Sequence, residues 1–584
     1  MHDPLRKQVA QALASALPEG LADQPTLESL YQALVEPPNP EMGDLAFGCF
    51  PMAKALRKGP PQIAAELQKN LEPKLKSFPV IEKAEAVGPY LNFRLSAKGI
   101  GDLLLDSVLN GSFFQTRLTE NTPKTMIEYS QPNTHKELHV GHMRNACLGD
   151  ALVRIQRYAG YNIISSTFPG DVGTHVAKCL WYMKYHNTEP APATGKGEWL
   201  GQMYSKAHLK LEDETGTPKE AENREKLTLI LKQLESKSGE FYDLWKETRQ
   251  WSIELMQKVY EWIGVRFDHW YWESEVDSPS VQYVKELFEQ GKLTRSEGAI
   301  GMDLSDVNLG FCLLLKSDGT GLYATKDIEL ARRKFQQHHI ERSVYVVDMR
   351  QALHFQQVFE VLKRLGFKQA ENCFHLQYNF VELPDGAMSS RKGNIVPITA
   401  LIQNMEKMVK EQYLNRYVGE WMQEEIDLVA SQVAKGAIKY GMVKIDNNKK
   451  IVFDMKEWLK LEGDSGPFIQ YSTARIQSLV KKLGPLAPEV DWGLLVHPAE
   501  KKLMSHLMNF HTVVVTAAED DRPSVLCTYL LEAAKRFNFF YHECSIGQAE
   551  NEYLKQSRLA LAAATGKILA QGLGLLGIPA PERM

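Results

Sequence analysis

Cysteine is scarce and scattered. The seven residues Cys49, Cys147, Cys179, Cys312, Cys373, Cys527 and Cys544 are odd in number and never form a C-x-x-C pair. That spacing argues against a disulfide framework and against a zinc site, so no zinc is expected. Long apolar runs are also missing: none approaches the roughly 18 residues of a membrane span, and no membrane partner is expected. The opening MHDPLRKQVAQALASAL places Leu5, Val9, Leu13 and Leu17 at helical spacing, with Arg6, Lys7, Gln8 and Gln11 interrupting any signal-type core. It predicts an amphipathic helix on a cytoplasmic protein. No internal repeat or low-complexity tract is found. Nor is there an excess of one charge. The 68 Lys plus Arg against 72 Asp plus Glu leave a net of -4, a balance that, taken as a total, argues against a nucleic-acid partner. What is present is ordinary globular material, 44% hydrophobic and 24% charged over 584 residues, enough for about four domains of about 150 residues.

Residues 1–115 read as a small α+β unit. It has a first helix, turn signals from Glu36 to Gly43, a helix through Pro61 to Leu71, and an extended stretch AVGPYLNFRLS punctuated by Gly88-Pro89. From Thr125, TMIEYS reads as a strand, followed by the polar loop SQPNTHKELHVGH. The next helix carries Leu148, Ala151, Leu152, Ile155 and Ala159 on one face, with Arg144, Arg154 and Arg157 elsewhere. Gly160 ends it, and YNIISS reads as a second strand. A βαβ unit of this kind implies a parallel sheet with ligands at the carboxyl ends of its strands. Residues of about 185–265 are charged and helical in pattern, like an insertion. After Asp268 the runs GFCLLLKSDG, SVYVVD and CFHLQYNF are expected to complete the nucleotide-binding sheet. Beyond Thr399 the pattern is almost wholly helical. The expected architecture is α/β: a Rossmann-type parallel-sheet catalytic domain over 116–400 with a helical insertion, after the α+β unit and before an all-α bundle over 401–584.

The loop after the first strand holds His139, Gly141 and His142 as His-Val-Gly-His, directly before a helix. A helix N-terminus offers unsatisfied N–H groups and a positive dipole end, a ready anion site. Histidines there can donate to phosphate oxygens as negative charge builds up, and Gly141 would let a nucleotide approach the backbone. Four letters alone would equally suit two surface histidines that happen to open a helix. A second segment, AMSSRKGN from Ala387 to Asn394, offers hydroxyls, backbone N–H groups and cations in a loop able to close over a triphosphate.

The His-x-Gly-His pattern within a βαβ unit resembles the HIGH signature of class I aminoacyl-tRNA synthetases and of small nucleotidylyltransferases. Met388, Ser389, Gly393 and Asn394 match the KMSKS-type loop of the synthetases, with Ser390, Arg391 and Lys392 between them. Where that loop carries two lysines, this chain has Ala387 and Ser390. The segment SQPNTHKELHVGHMRN is similar to the corresponding stretch of arginyl-tRNA synthetases. GDLAFGCFPMAKALRKGPPQIAAEL, LKSDGTGLYATKDIELARRKF and the final APERM extend the resemblance over most of the chain. Arg391 and Lys392 are adjacent to the vacant positions, though their side chains would point differently. In that family a lysine upstream of the HIGH motif accompanies a degenerate loop, which makes Lys136 the other candidate for the displaced charge.

The resemblance implies ATP, with Mg²⁺ on its phosphates, L-arginine and tRNA(Arg) as ligands, and a monomer. It implies arginyl-adenylate formation followed by transfer to the tRNA, the bound tRNA usually being needed even for the first step. It assigns Tyr323 and Asp327 to the guanidinium, Glu273 as a further carboxylate, and Asn133 and Gln351 to the α-amino or carboxylate end. His142 would lie close to both substrates. Tyr323 and Asp327 are four apart, so on a helix they share a face. Asp327 alone could also cap the helix through Ala331, and Glu275 competes with Glu273. In the helical C-terminal part, Tyr471, Arg475, Lys481 and Lys482 could face RNA, whereas most of Phe537, Phe539, Phe540 and Tyr541 suit the bundle core. A small-molecule adenylate-forming ligase would leave that helical part without a role. A non-catalytic tRNA-binding relative would leave the nucleotide motifs without one.

Overall fold

The computed structural model describes residues 3–18, 24–383, 386–387 and 396–584. The loop residues Met388, Ser389, Ser390, Arg391, Lys392 and Gly393 lie outside the described residues. In the N-terminal region a helix over Pro4–Ala16 is capped by Asp3, whose carboxylate accepts from the N–H groups of Leu5 and Arg6. Its Leu5, Val9 and Leu13 are fully buried, as the amphipathic spacing predicts. That helix and one over Pro60–Leu71 accompany a four-stranded antiparallel sheet. The stretch read as one extended run breaks into a hairpin, Ile81–Val87 against Tyr90–Leu95, because Gly88 turns the chain at φ +56°.

The central sheet is parallel throughout. Its elements in chain order are β1 (Thr125–Glu128), α1 (Val140–Ala159), β2 (Ile163–Thr167), α2 (Glu240–Ile263), β3 (His269–Trp270), α3 (Glu273–Glu289), α4 (Tyr323–His338), β4 (Arg342–Asp348), α5 (Ala352–Arg364) and β5 (Cys373–Tyr378). The spatial order is β5-β4-β1-β2-β3. Strand order therefore reverses between β1 and β4, the switch point at which an open α/β sheet leaves a crevice beyond its carboxyl ends. Every residue of β1 is buried, as befits a strand covered on both faces. Helix α1 lies close against it: a Cβ on Gly149 would sit 2.1 Å from the Tyr129 ring. Between β2 and α2 the chain forms helices over Thr174–Tyr185, Lys196–Asp213 and Lys219–Glu235.

The run GFCLLLKSDG does not join the parallel sheet. Phe311–Leu315 pairs with Ala299–Asp303 in a separate three-stranded antiparallel sheet between α3 and α4. Its buried Cys312, Leu314 and Leu315 share a core with Val284, Leu287 and Ile328. A short apolar run signals a strand but not its partner.

Arg144, expected apart from the apolar face of its helix, is likewise buried, at 1% exposed. Its guanidinium donates to the carbonyls of Asn379 (2.5 Å), Lys449 (3.0 Å) and Asn447 (3.3 Å). The C-terminal helices cover that side of the sheet. Helix α6 (Gln423–Val443) and a helix over Phe510–Glu519 pack directly on α1. The fully buried Lys439 of α6 donates to Asp150 of α1 at 2.6 Å and to the carbonyl of Ile263 at 2.9 Å. Gln156 of α1 reaches Asp521 at 2.6 Å and the carbonyl of Ala518 at 3.1 Å. Farther along, α7 (Gly466–Leu483), α8 (Pro523–Glu543) and α9 (Glu552–Leu575) form a bundle. Of the aromatic run there, Phe537 and Phe540 are buried, whereas Phe539 is exposed. Arg475 of α7 stacks over Tyr541 at 4.2 Å.

Candidate active site

The site begins with how α1 starts. His139 is its N-cap in extended conformation, and its Nδ1 accepts from the N–H of Gly141 at 3.1 Å. His142, one turn in, returns the arrangement: its Nδ1 accepts from the N–H of His139 at 3.1 Å. The two rings lie 4.0 Å apart. A ring whose Nδ1 accepts carries its proton on Nε2 when neutral, so both rings retain an Nε2–H donor. Neutrality follows from the surroundings. Burial, reinforced by the charge of Lys136, lowers the His139 pKa to about 4, and burial beside His139 holds His142 well below the usual imidazole value. Gly141 also has an internal reason to be glycine: a Cβ there would meet the His139 ring at 3.0 Å.

The loop entering α1 is stapled on both sides. Asn133 bridges to Gly170 in parallel register, with Thr134 N–H donating to Gly170 O at 2.8 Å. His135, fully buried, is held between Thr134 Oγ1 at 2.9 Å and Thr248 Oγ1 of α2 at 2.8 Å. Burial lowers its pKa to about 3, which fits a structural role. On the other side, Val140 N–H donates to Val396 O at 3.1 Å, and Ile398 N–H donates to Leu138 O at 2.9 Å. The backbone that follows the 388–395 segment is thus tied to the histidine motif.

Beyond the carboxyl ends of the strands lies a cavity of about 690 Å³. Asn133, His139, Gly141, His142, Glu273, Tyr323, Asp327 and Gln351 all line it. Tyr323 is the first residue of α4 and is 76% exposed. Asp327 is one turn farther on, while the N-cap is Leu322, so Asp327 does not cap the helix. Its Oδ2 instead lies 2.6 Å from Nε2 of His354. Glu273 opens α3 and is 7% exposed. Burial raises its pKa although Lys326 of α4 is 2.5 Å away. The start of α3 is set by buried Asp171, which accepts from Ser274 N–H at 2.8 Å and pairs with Arg249 at 2.6 Å. Gln351 ends the turn after β4, where Asp348 pairs with Arg350 at 2.8 Å.

Lys136 is set apart from the other predicted residues. It lies over the Tyr204 ring at 5.1 Å, in an adjoining groove of about 780 Å³ that shares Glu273, Tyr323 and Lys326 with the cavity. Several lining groups carried no sequence signal. Glu128 is a strand residue in a wholly buried β1, where it pairs with buried Lys334 and accepts from Gln131 at 3.2 Å. His354 and Lys326 matter only through partners 27 and 53 residues away. No local motif could have found them, although the spacing of Tyr323, Lys326 and Asp327 on one helix face was open to reading. Among the described residues, no group of three or more His, Cys, Asp or Glu is arranged to hold a metal ion.

The family described as tRNA synthetases class I (R), catalytic domain, matches residues 104–455. The DALR anticodon binding domain matches 469–584, and the arginyl tRNA synthetase N terminal domain matches 3–95. The chain is 59% identical over 585 residues to the arginine–tRNA ligase of Bdellovibrio bacteriovorus, covering 100% of each. It is 36% identical over 570 residues to that of Bacteroides thetaiotaomicron, covering 93% of this chain and 94% of the relative. Among solved structures, the arginyl-tRNA synthetase of Thermus thermophilus superposes with a TM-score of 0.79 at 29% identity, over 99% of this chain and 100% of that one. The Plasmodium falciparum enzyme shares the fold, with a TM-score of 0.75 at 19% identity over 100% and 99% of the two chains. With a parallel sheet, a histidine-capped helix at its switch point and matches along its whole length, the chain belongs to the arginyl-tRNA synthetase family of class I synthetases.

Proposed function

We infer that the cavity between β1 and β4 is where this arginine–tRNA ligase activates its amino acid, with the roles divided along the two sides of the switch point. On the α1 side, His139 and His142 direct neutral Nε2–H donors at the phosphates of ATP, and the N-terminal N–H groups of the helix add to them. Neutral rings suit that role, because they stabilise charge as pyrophosphate departs without binding the ground state as strongly as a fixed cation would. Mg²⁺ enters bound to the nucleotide. The loop from Met388 to Gly393, with Ser389, Ser390, Arg391 and Lys392, closes over the triphosphate. The ties between Leu138–Val140 and Val396–Ile398 support that placement, because they fix where the loop must return. Lys136 supplies the cation missing from the loop, which its depressing effect on both histidines supports.

On the α4 side, Asp327 and Tyr323 receive the guanidinium and Glu273 adds a carboxylate. Asn133 and Gln351 hold the α-amino and carboxylate end. Arginine's carboxylate then attacks the α-phosphorus, and the P–O bond to pyrophosphate breaks. A terminal ribose hydroxyl of tRNA(Arg) next takes the acyl group and AMP leaves. No side-chain nucleophile is required, since positioning and charge stabilisation carry the chemistry. The groove beside the cavity supports a route for the tRNA 3′ end, for Lys136, Lys178, Lys237, Lys285 and Lys316 stand there with Tyr204 and Tyr242. Cations and rings together suit a single strand.

We assign residues 1–115 to tRNA contact, 116–400 to catalysis with the insertion at about 185–265, and 401–584 to stem and anticodon contact, in a cytoplasmic monomer. The observation that carries the reading is the convergence of both residue sets on one cavity. The test is ATP–pyrophosphate exchange with and without arginine and tRNA: exchange indifferent to arginine would overturn it, and size-exclusion chromatography would check the monomer.

A further inference from the structure

Asp327 does not face the cavity unaided. His354, in the first turn of α5, places Nε2 2.6 Å from Oδ2 of Asp327, and both side chains line the cavity. A carboxylate on a helix surface turns easily about its terminal torsion, whose energy profile is broad. A planar guanidinium needs acceptors held in a fixed plane, whereas a lysine ammonium is a rotatable point charge that tolerates a wandering acceptor. The bond to His354 occupies Oδ2, holds the carboxylate plane, and leaves Oδ1 for a ligand.

We propose that His354 is the positioning residue for amino-acid selection, donating its Nε2 proton to Asp327 and thereby holding that carboxylate in the orientation that favours a guanidinium over an ammonium. The proposal rests on the reading of Asp327 as a guanidinium acceptor. It has a second consequence, because the same imidazole can take up a proton. A charged His354 would set a cation against the carboxylate on which the substrate's own cation must sit. Burial pulls the His354 pKa down, but the bond to Asp327 and its charge outweigh burial and raise it above the ordinary value.

The other charges around the cavity are paired among themselves: Glu273 with Lys326, Asp348 with Arg350, and Glu128 with Lys334. His375 of β5 is pushed toward neutrality by burial and bonded to Val347 O at 3.0 Å, and burial keeps Tyr345 of β4 un-ionised. His354 is therefore the imidazole on this side whose pKa is raised rather than lowered by its surroundings. Above its pKa it is neutral and arginine binds unopposed. As pH falls through that pKa, arginine must displace a proton, so its KM rises.

The experiment measures exchange in the presence of tRNA, from pH 6 to 8.5, with arginine and with lysine, for the wild type, His354→Ala, His354→Gln and Asp327→Asn. His354→Ala is expected to raise the KM for arginine about tenfold or more, narrow the preference for arginine over lysine, and leave kcat at saturating arginine nearly unchanged. His354→Gln keeps an amide donor that cannot be protonated. It should recover most of the lost affinity and show a KM that no longer climbs at low pH. If Asp327→Asn leaves the KM unmoved, the guanidinium reading itself falls. If Asp327→Asn raises it while His354→Ala does not, the positioning role alone is overturned. A His354→Gln enzyme that keeps the wild-type pH slope would overturn it equally, and that variant decides the matter should His354→Ala fail to fold.

Discussion

A methyl group at Gly170 would lie 2.4 Å from Oδ1 of Asn133 and 2.9 Å from Oε2 of Glu273. One absent carbon thus lets two proposed substrate contacts share a wall of the cavity. Gly170→Ala is expected to leave the fold intact, cost about 1–3 kcal/mol of packing strain and raise the KM for arginine. Exchange kinetics beside a thermal melt would check this, and an unchanged KM would separate Asn133 and Glu273 from the substrate. Lys136→Ala should slow exchange more than it weakens ATP binding. An unchanged rate would move the missing charge to Arg391 or Lys392.

The histidines make a prediction with a definite sign. His135 is fully buried and His139, His175 and His506 are partly buried, and in each desolvation lowers the pKa, to between about 3 and about 4. Between those values and the unfolded value near 6.5, the unfolded chain binds more protons, so stability falls as pH drops through that window. Urea midpoints measured from pH 7 to pH 5 should decline, and a flat profile would contradict neutral burial. At this scale the sequence was most legible where chemistry is local. His139, Gly141 and His142 announce themselves by order and by the helix they open. Glu128 and His354 do not, because each acquires meaning only from a partner on another element.

Helix α1 serves two faces at once. Its N-terminus carries the histidines, while Arg144, one turn on, draws together the end of β5 and the 446–449 segment that follows α6. Burial lowers the Arg144 pKa to about 10, still charged near neutrality. A buried cation bonded to carbonyls is costly unless its donors are satisfied. Arg144→Ala would strand those carbonyls and should cost about 3 kcal/mol, read as a lower thermal midpoint, with exchange impaired because Tyr378 and Phe380 at the cavity edge lose their tie. Helical periodicity placed α1 correctly, but its charge set Arg144 apart from the apolar face of Leu148, Ala151, Leu152, Ile155 and Ala159. Periodicity assumes that a charged residue seeks solvent, and here a second layer covers that side. The 311–315 run shows the corresponding limit for strands: a short apolar run marks the element, but not that it pairs with the neighbouring Ala299–Asp303 instead of joining the parallel sheet.

At the level of the whole molecule, a net charge of -4 coexists with a lysine-lined groove beside the cavity. Charge acts where it is concentrated, and in this groove six lysines stand with four carboxylates, Glu235, Glu273, Asp277 and Asp318. Binding of tRNA should weaken steeply and linearly in a logarithmic plot against salt, and a flat plot would count against that groove as its path. The α/β centre and the helical C-terminal part were both legible from composition and pattern. Their mutual burial was not, since no local signal marks a helix that covers another domain's back. The bonds that join them span long stretches of chain, 289 residues for Lys439 with Asp150 and 365 for Gln156 with Asp521. Synthesis is vectorial, so the ribosome delivers the histidine helix long before it delivers the residues that seal its underside. The nascent catalytic sheet must wait, with Asp150 lacking Lys439 and Gln156 lacking Asp521, until the C-terminal helices emerge. A chain released early should therefore be recovered as a substrate for chaperones and proteases rather than as a small working enzyme.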